Sequence, residues 1–194
     1  MADHVVNIDE LKAFYKTDTS DFDWLYQEAI DAAGRYLKDE TARDFTIATT
    51  SSARSYRPER CASYLWIHDC TSITSVVENG VTLVDGTDYV KEPLNGITAS
   101  GETRPYDRLA RYATYWYWDG PKTTVTVTAT WGWASLPAGY RMAHFVCAKA
   151  YMQSRDISFG LAALSEAGGV GEREAKAVRD FISNYRGHSS WGVA

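Results

Sequence analysis

An α+β fold, with helices at both chain ends and an antiparallel β block inserted between them, is what this 194-residue sequence predicts. Three observations lead there. Apolar residues near both ends recur at three and four positions, the helical period. Asn79-Gly80 stands between two β-branched runs, the signature of a tight hairpin whose central residues take positive φ. From Thr123 to Trp131 the chain alternates strictly. Val125, Val127, Ala129 and Trp131 face one way and Thr124, Thr126, Thr128 and Thr130 the other, as in a strand with one buried and one wet face.

The elements follow in order. Asn7 is a good N-cap, and Glu10 stands three residues on, where a capping box wants it. Leu11, Phe14 and Tyr15 give this short helix one apolar side. After the break Thr17-Asp18-Thr19-Ser20, Ser20 or Asp21 caps a longer helix to about Arg43, with Phe22, Leu25, Ala29, Ile30, Ala33 and Leu37 inward. β-type runs then begin, at Ser55–Arg57, Tyr64–Ile67, Ile73–Val77 and Val81–Val84. Asp85-Gly86 turns the chain before Tyr89-Val90. Arg108–Trp118 reads as a further strand, with a helical reading possible. Helix returns after Pro137, which suits a first turn, and shows Met142, Phe145, Val146, Lys149 and Met152 on one face to about Arg155. A flexible stretch from Ser158 through Gly171 precedes a last helix, Glu172–Tyr185, with Ala175, Val178, Ile182 and Tyr185 inward and Gly187 at its C′ position. Residues 1–48 and 135–186 are thus expected to form a helical bundle, 49–134 an inserted β subdomain and 187–194 a flexible C-terminal tail.

Composition narrows the function. With 45% apolar and 23% charged residues the chain is globular, not disordered. Its net charge of −5 is the wrong sign for wrapping nucleic acid through phosphates. Three cysteines, an odd number, argue against a disulfide scaffold and for a reducing compartment. No apolar run approaches the ~18 residues of a membrane span, and Met1-Ala2-Asp3-His4 lacks a basic leader, so the expected place of synthesis is the cytoplasm. Charge is uneven. Residues 1–44 hold 5 basic and 11 acidic side chains, and residues 132–194 hold 7 and 5. Two such faces suit pairing between neighbouring copies; a solvated acidic helix face is the plainer reading.

Chemistry finds little to stand on. Cys61, His68 and Cys70 match no metal-ligand spacing and lack a fourth partner. His144 and Cys147, three apart on a helix, sit in the apolar stretch Phe145–Ala148, where core packing explains them better than nucleophilic catalysis. Gly168, Gly169 and Gly171 precede a helix, but Glu172-Arg173-Glu174 follows where a phosphate loop needs lysine and a hydroxyl. No catalytic, metal or cofactor-binding residue is therefore expected. The aromatic cluster Tyr112, Tyr115, Trp116, Tyr117 and Trp118, with Trp131 and Trp133, reads either as a stacking platform for sugars or bases or as core plus protein interface. On a strand Trp116 and Trp118 would share one face, and Tyr115 and Tyr117 the other, leaving at least one pair off the core; Tyr115, Trp116, Tyr117 and Trp118 are therefore the expected interface aromatics.

The arrangement resembles the head-to-tail connector (adaptor) proteins of long-tailed bacteriophages. Ile8-Asp9-Glu10-Leu11-Lys12-Ala13-Phe14 with Asp21–Ala33 and Tyr36-Leu37 is similar to the family's short and long helices. Ser72–Gly80 with Asp85–Tyr89 resembles its hairpin. Val125–Trp133, Leu136-Pro137 and the helix to Arg155 form the most recognisable stretch, and Val178–Arg186 resembles the last helix. Smaller members are almost wholly helical, so the β block departs from them. The resemblance implies a non-enzymatic virion protein of the neck, held in the host cytoplasm before assembly. It implies a ring, commonly a dodecamer, beneath the portal protein, with a tail-side neck or tail terminator protein below and double-stranded DNA in passage. It also implies a C-terminal segment docked into the portal, here Arg186, His188 and above all Trp191. An aromatic-rich module binding carbohydrate or another ligand is the alternative; an enzyme with an unrecognised site is a further one.

Overall fold

The computed structural model describes residues 6–15, 20–97, 101, 103–117, 120, 124–159 and 172–187. These fall into two compact units, one from the described residues of Met1–Arg43 and Ala138–Gly187, the other from those of Asp44–Pro137. Helices from both chain ends share the first unit and a β block fills the second, as the sequence predicts.

In the helical unit, α1 (Ile8–Tyr15) opens with the expected capping box. The Glu10 amide donates to Asn7 Oδ1 at 2.8 Å and the Asn7 amide to Glu10 Oε2 at 3.2 Å, satisfying two donors that a helix start leaves orphaned. Ion pairs Glu10–Arg141 and Lys12–Asp23 tie α1 to its neighbours. Helix α2 (Asp23–Thr41) begins later than the expected Ser20 or Asp21 cap. Phe22 occupies the N-cap position without a side-chain cap, and its carbonyl takes the Leu25 and Tyr26 amides. Phe22 therefore precedes the helix and stays exposed, while Tyr26 joins Ala29, Ile30, Ala33 and Leu37 in the core.

Helix α3 (Tyr140–Phe159) starts after Gly139 rather than directly after Pro137 and runs beyond Arg155 into the stretch expected to be flexible. Its buried face keeps most of the expected one, with Val146 buried and Phe145 and Met152 packed against the core. Met142 is exposed, and Tyr140, Ala143, His144, Val146 and Ala148 are buried. Reading only the large apolar residues misses the alanines of this face, because Ala148 packs in one core with Ala29 and Ala33 of α2. Small side chains let two helices approach closely. Helix α4 (Glu172–Tyr185) has the expected bounds, with Val178 and Phe181 buried. Gly187 is not a left-handed C′ residue. Its amide donates to the Thr41 carbonyl at 2.6 Å, and a Cβ there would lie 3.0 Å from the Arg43 side chain and 3.2 Å from the Ala42 carbonyl.

The β unit holds β1 (Ser51–Tyr56), β2 (Tyr64–Glu78), β3 (Val81–Leu83), β4 (Tyr89–Glu92), β5 (Tyr106–Arg111) and β6 (Val125–Trp131). They form an antiparallel sheet in the order β1-β6-β2-β5-β4, with β3 paired to β2. The fifteen-residue β2 organises it. Its first half pairs with β5 and its second with β6, across register shifts near Cys70 and Ile73 that bend the strand. Asn79 (φ 48°) and Gly80 (φ 82°) make the expected hairpin turn, with Val76, Val77 and Glu78 opposite Leu83, Thr82 and Val81. Along β6 the alternation is as expected, with Val125, Val127 and Ala129 fully buried. The threonines are half-covered, because β6 lies between β1 and β2. Arg108–Trp118 is not one strand, since β5 ends at Arg111. No helix among the described residues is long and apolar enough to cross a membrane.

Candidate interaction surfaces

The segment after β5 is built around one buried ion pair. Arg111 Nη2 lies 3.1 Å from Glu78 Oε2, with both side chains almost wholly covered. The other Glu78 oxygen accepts the Tyr117 amide at 2.8 Å, and the Arg111 guanidinium lies over the Trp116 ring, 5.4 Å from its centre. Trp116 is 1% exposed; its indole donates to the Leu109 carbonyl at 3.3 Å and its amide to the Ala62 carbonyl at 3.0 Å. The Tyr112 amide donates to the Asp88 carbonyl at 3.0 Å. A non-strand segment is thus pinned at Tyr112, Trp116 and Tyr117. Its remaining rings point out: Tyr112, Tyr115 and Tyr117 are 65%, 63% and 53% exposed. Val81 and Val84 are exposed on the adjoining hairpin.

This corrects one expectation. Trp116 is a core residue, not a surface aromatic, because the chain leaves the sheet after Arg111 and folds that ring inward. Tyr115 and Tyr117 are at the surface, joined by Tyr112, and Trp118 lies outside the described residues. Trp131 and Trp133 are core. The Trp131 indole donates to the Ser52 carbonyl at 2.9 Å and the Trp133 indole to Asp69 Oδ2 at 3.0 Å. The Glu78–Arg111 anchor was invisible in the sequence; charges at two strand ends carry no signal of their pairing.

A second surface lies in the helical unit, where α2, α3 and α4 border an apolar groove of about 590 Å³. Ala32, Tyr36, Val146, Ala150, Val178 and Arg179 are among its walls. On α4, Arg173, Lys176 and Arg179 are exposed. Arg186 is exposed too and reaches Glu40 at 3.9 Å. His188 and Trp191, expected to contact a partner, lie outside the described residues, as do Gly168, Gly169 and Gly171.

The titratable candidates occupy structural places. The Tyr56 hydroxyl lies 2.7 Å from His68 Nδ1 and accepts the His68 amide at 3.2 Å, and burial pushes the phenol up to about 12. Cys61 is exposed and Cys70 buried. Burial, with Asp69 and Asp107 nearby, pushes the Cys70 thiol up to about 12. His144 Nε2 donates to the Ile30 carbonyl at 2.8 Å, inside the helical core. Burial raises the Cys147 thiol to about 11, against the lowered value a nucleophile needs. No His/Cys/Asp/Glu group among the described residues is arranged to hold a metal.

No protein-family model and no curated protein matches the sequence. Solved structures are similar to it in fold. A chain from the neck of an empty gene transfer agent (GTA) particle, computed with C6 symmetry, superposes with a TM-score of 0.58 at 14% identity, over 99% of this chain and 95% of that one. A chain from the neck of the native particle, computed with C12 symmetry, gives 0.52 at 14% identity, over 99% and 98%. One from the virion of the native particle gives 0.53 at 14% identity, over 96% and 92%. The resemblance to head-to-tail connectors read from the sequence thus meets a fold that this chain shares, over almost its whole length, with chains of gene transfer agent necks.

Proposed function

We propose that this chain is a structural, non-enzymatic component of the neck of a phage-like particle. It forms a ring beneath the portal, joins head to tail and lets DNA pass. The observation that carries this reading is likeness over nearly the full length of both chains to proteins of a symmetric neck. Two further features support it. Cys70, His144 and Cys147 are held in packing, with the Cys70 and Cys147 thiols raised by burial. Each subunit also carries different surfaces, a tyrosine-bearing β end and a helical groove, and a closed ring needs two unlike faces.

In this reading copies assemble in twelves, the portal protein lies on one side and a tail-side neck or terminator protein on the other. The negative net charge keeps a DNA conduit from gripping phosphates. The segment from Arg186 through His188 and Trp191 docks into the portal. The chain waits in the host cytoplasm and ends in the virion neck. Co-expression with the portal protein of the same particle tests this. A ring-shaped complex is expected, lost on truncation after Arg186 with the fold intact. A truncated chain that binds the portal as well as the whole one contradicts the docking role.

A further inference from the structure

We propose that neighbouring copies meet head to tail, with the tyrosine end of one β unit seated in the α2–α3–α4 groove of the next copy. The inference rests on the ring reading above and names its contact.

Four features select a second copy as the occupant. Tyr112, Tyr115 and Tyr117 stand on a segment already fixed by the Glu78–Arg111 pair and by Trp116, so docking orders little that is not ordered before. At their exposures the three rings offer on the order of 400 Å². That is half of the roughly 800 Å² that each side of a stable interface contributes. The groove, about 590 Å³ and almost wholly apolar in its walls, has room for such rings. The charges at its border also match. Arg179 of α4 is exposed on the groove wall, while Asp88 lies beside Tyr112, whose amide its carbonyl accepts. A guanidinium over a phenol ring is a contact this protein already makes, Arg108 above Tyr64 at 5.4 Å. The two surfaces differ, so their contact repeats from copy to copy instead of stopping at a dimer.

Cysteine trapping tests the contact in the full-length chain. Cys61→Ser and Cys147→Ser remove the exposed thiol and the one on the groove wall, and Tyr115→Cys is combined with Ala150→Cys on that wall. Mild oxidation should give a ladder of covalent dimers, trimers and higher species. Tyr115→Cys alone should stop at dimers. A control pairing Tyr115→Cys with Ser52→Cys on β1 should give about tenfold less ladder. Tyr112→Ser with Tyr117→Ser in the trapping background should cut the ladder about tenfold, as loss of interface anchors does. A double variant giving no more ladder than the control, or one indifferent to loss of the tyrosines, overturns the contact. That holds whether or not images of the particle neck show a ring, so the two readings fail separately.

Discussion

Gly132→Ala should disable the β unit. Gly132 follows β6 at φ +116°, and a Cβ there would lie 2.4 Å from the Thr46 carbonyl oxygen and 3.1 Å from the Ala48 amide. Both are backbone atoms, held by the Trp133 amide on the Thr46 carbonyl (2.8 Å) and the Ala48 amide on the Trp133 carbonyl (2.9 Å). The Gly132 amide itself donates to the Asp69 carbonyl at 2.7 Å. No rotamer change relieves the overlap. Backbone strain of about 1–3 kcal/mol adds to an overpacking cost of about 1–3 kcal/mol, so the loss should reach roughly 3–5 kcal/mol. For a unit of this size each kcal/mol lowers Tm by about 4–8 °C, which places the shift at or above about 12 °C. Tryptophan fluorescence during thermal and urea unfolding reads it through Trp131 and Trp133. Gly80→Ala is the control, with a similar positive φ (+82°) and nothing within 4 Å of the added methyl. It should cost only the left-handed strain, about 1–2 kcal/mol. Equal shifts for the two variants would refute the reasoning, because the clash would then contribute nothing.

Other outcomes follow from the same structure. Arg111→Met leaves Glu78 without its cation in a covered site; breaking a buried pair costs about 3–5 kcal/mol, and amide exchange at 112–117 should quicken while that in α2 stays unchanged. Alkaline pH should weaken the fold. Cys70, Tyr56 and Tyr89 are raised to about 12 from ordinary values of 9.0 and 10.0, so the unfolded chain gives up these protons first. Their contribution is intact below about pH 9 and is lost as pH rises toward 12. Tm measured across that range should fall, and fall less in Cys70→Val. Asn7→Ala removes the α1 cap and should cost about 1 kcal/mol by urea titration. Assembly between the acidic front and basic back should weaken with rising salt in sedimentation; salt-independent assembly would remove that pairing.

The hairpin, β6, the capping box and α4 were legible because each rests on a local rule: a turn needing positive φ, a period of two, a reciprocal cap, a period near 3.6. What escaped the sequence depends on distant partners. Tyr26 displaced Phe22 because the helix starts after Phe22, and no side chain marks that start. Ala143 and Ala148 on the buried face of α3 were missed, because a search for large apolar residues passes over alanines. Trp116 turned inward because Glu78, on another strand, anchors the chain beyond β5. The interaction surfaces were half legible. Strand alternation put one ring pair of 115–118 at the surface without saying which; Tyr115 and Tyr117 are exposed, on a segment that is not a strand. The groove needs three helices together and left no trace in any one of them.

Imaging of the particle that carries this chain, with the neck reconstructed and the density traced, is the most direct measurement. The account predicts several symmetry-related copies in a closed ring between portal and tail, around a central channel. Density for this chain at another site in the particle, or a mature particle that lacks it, would contradict the account.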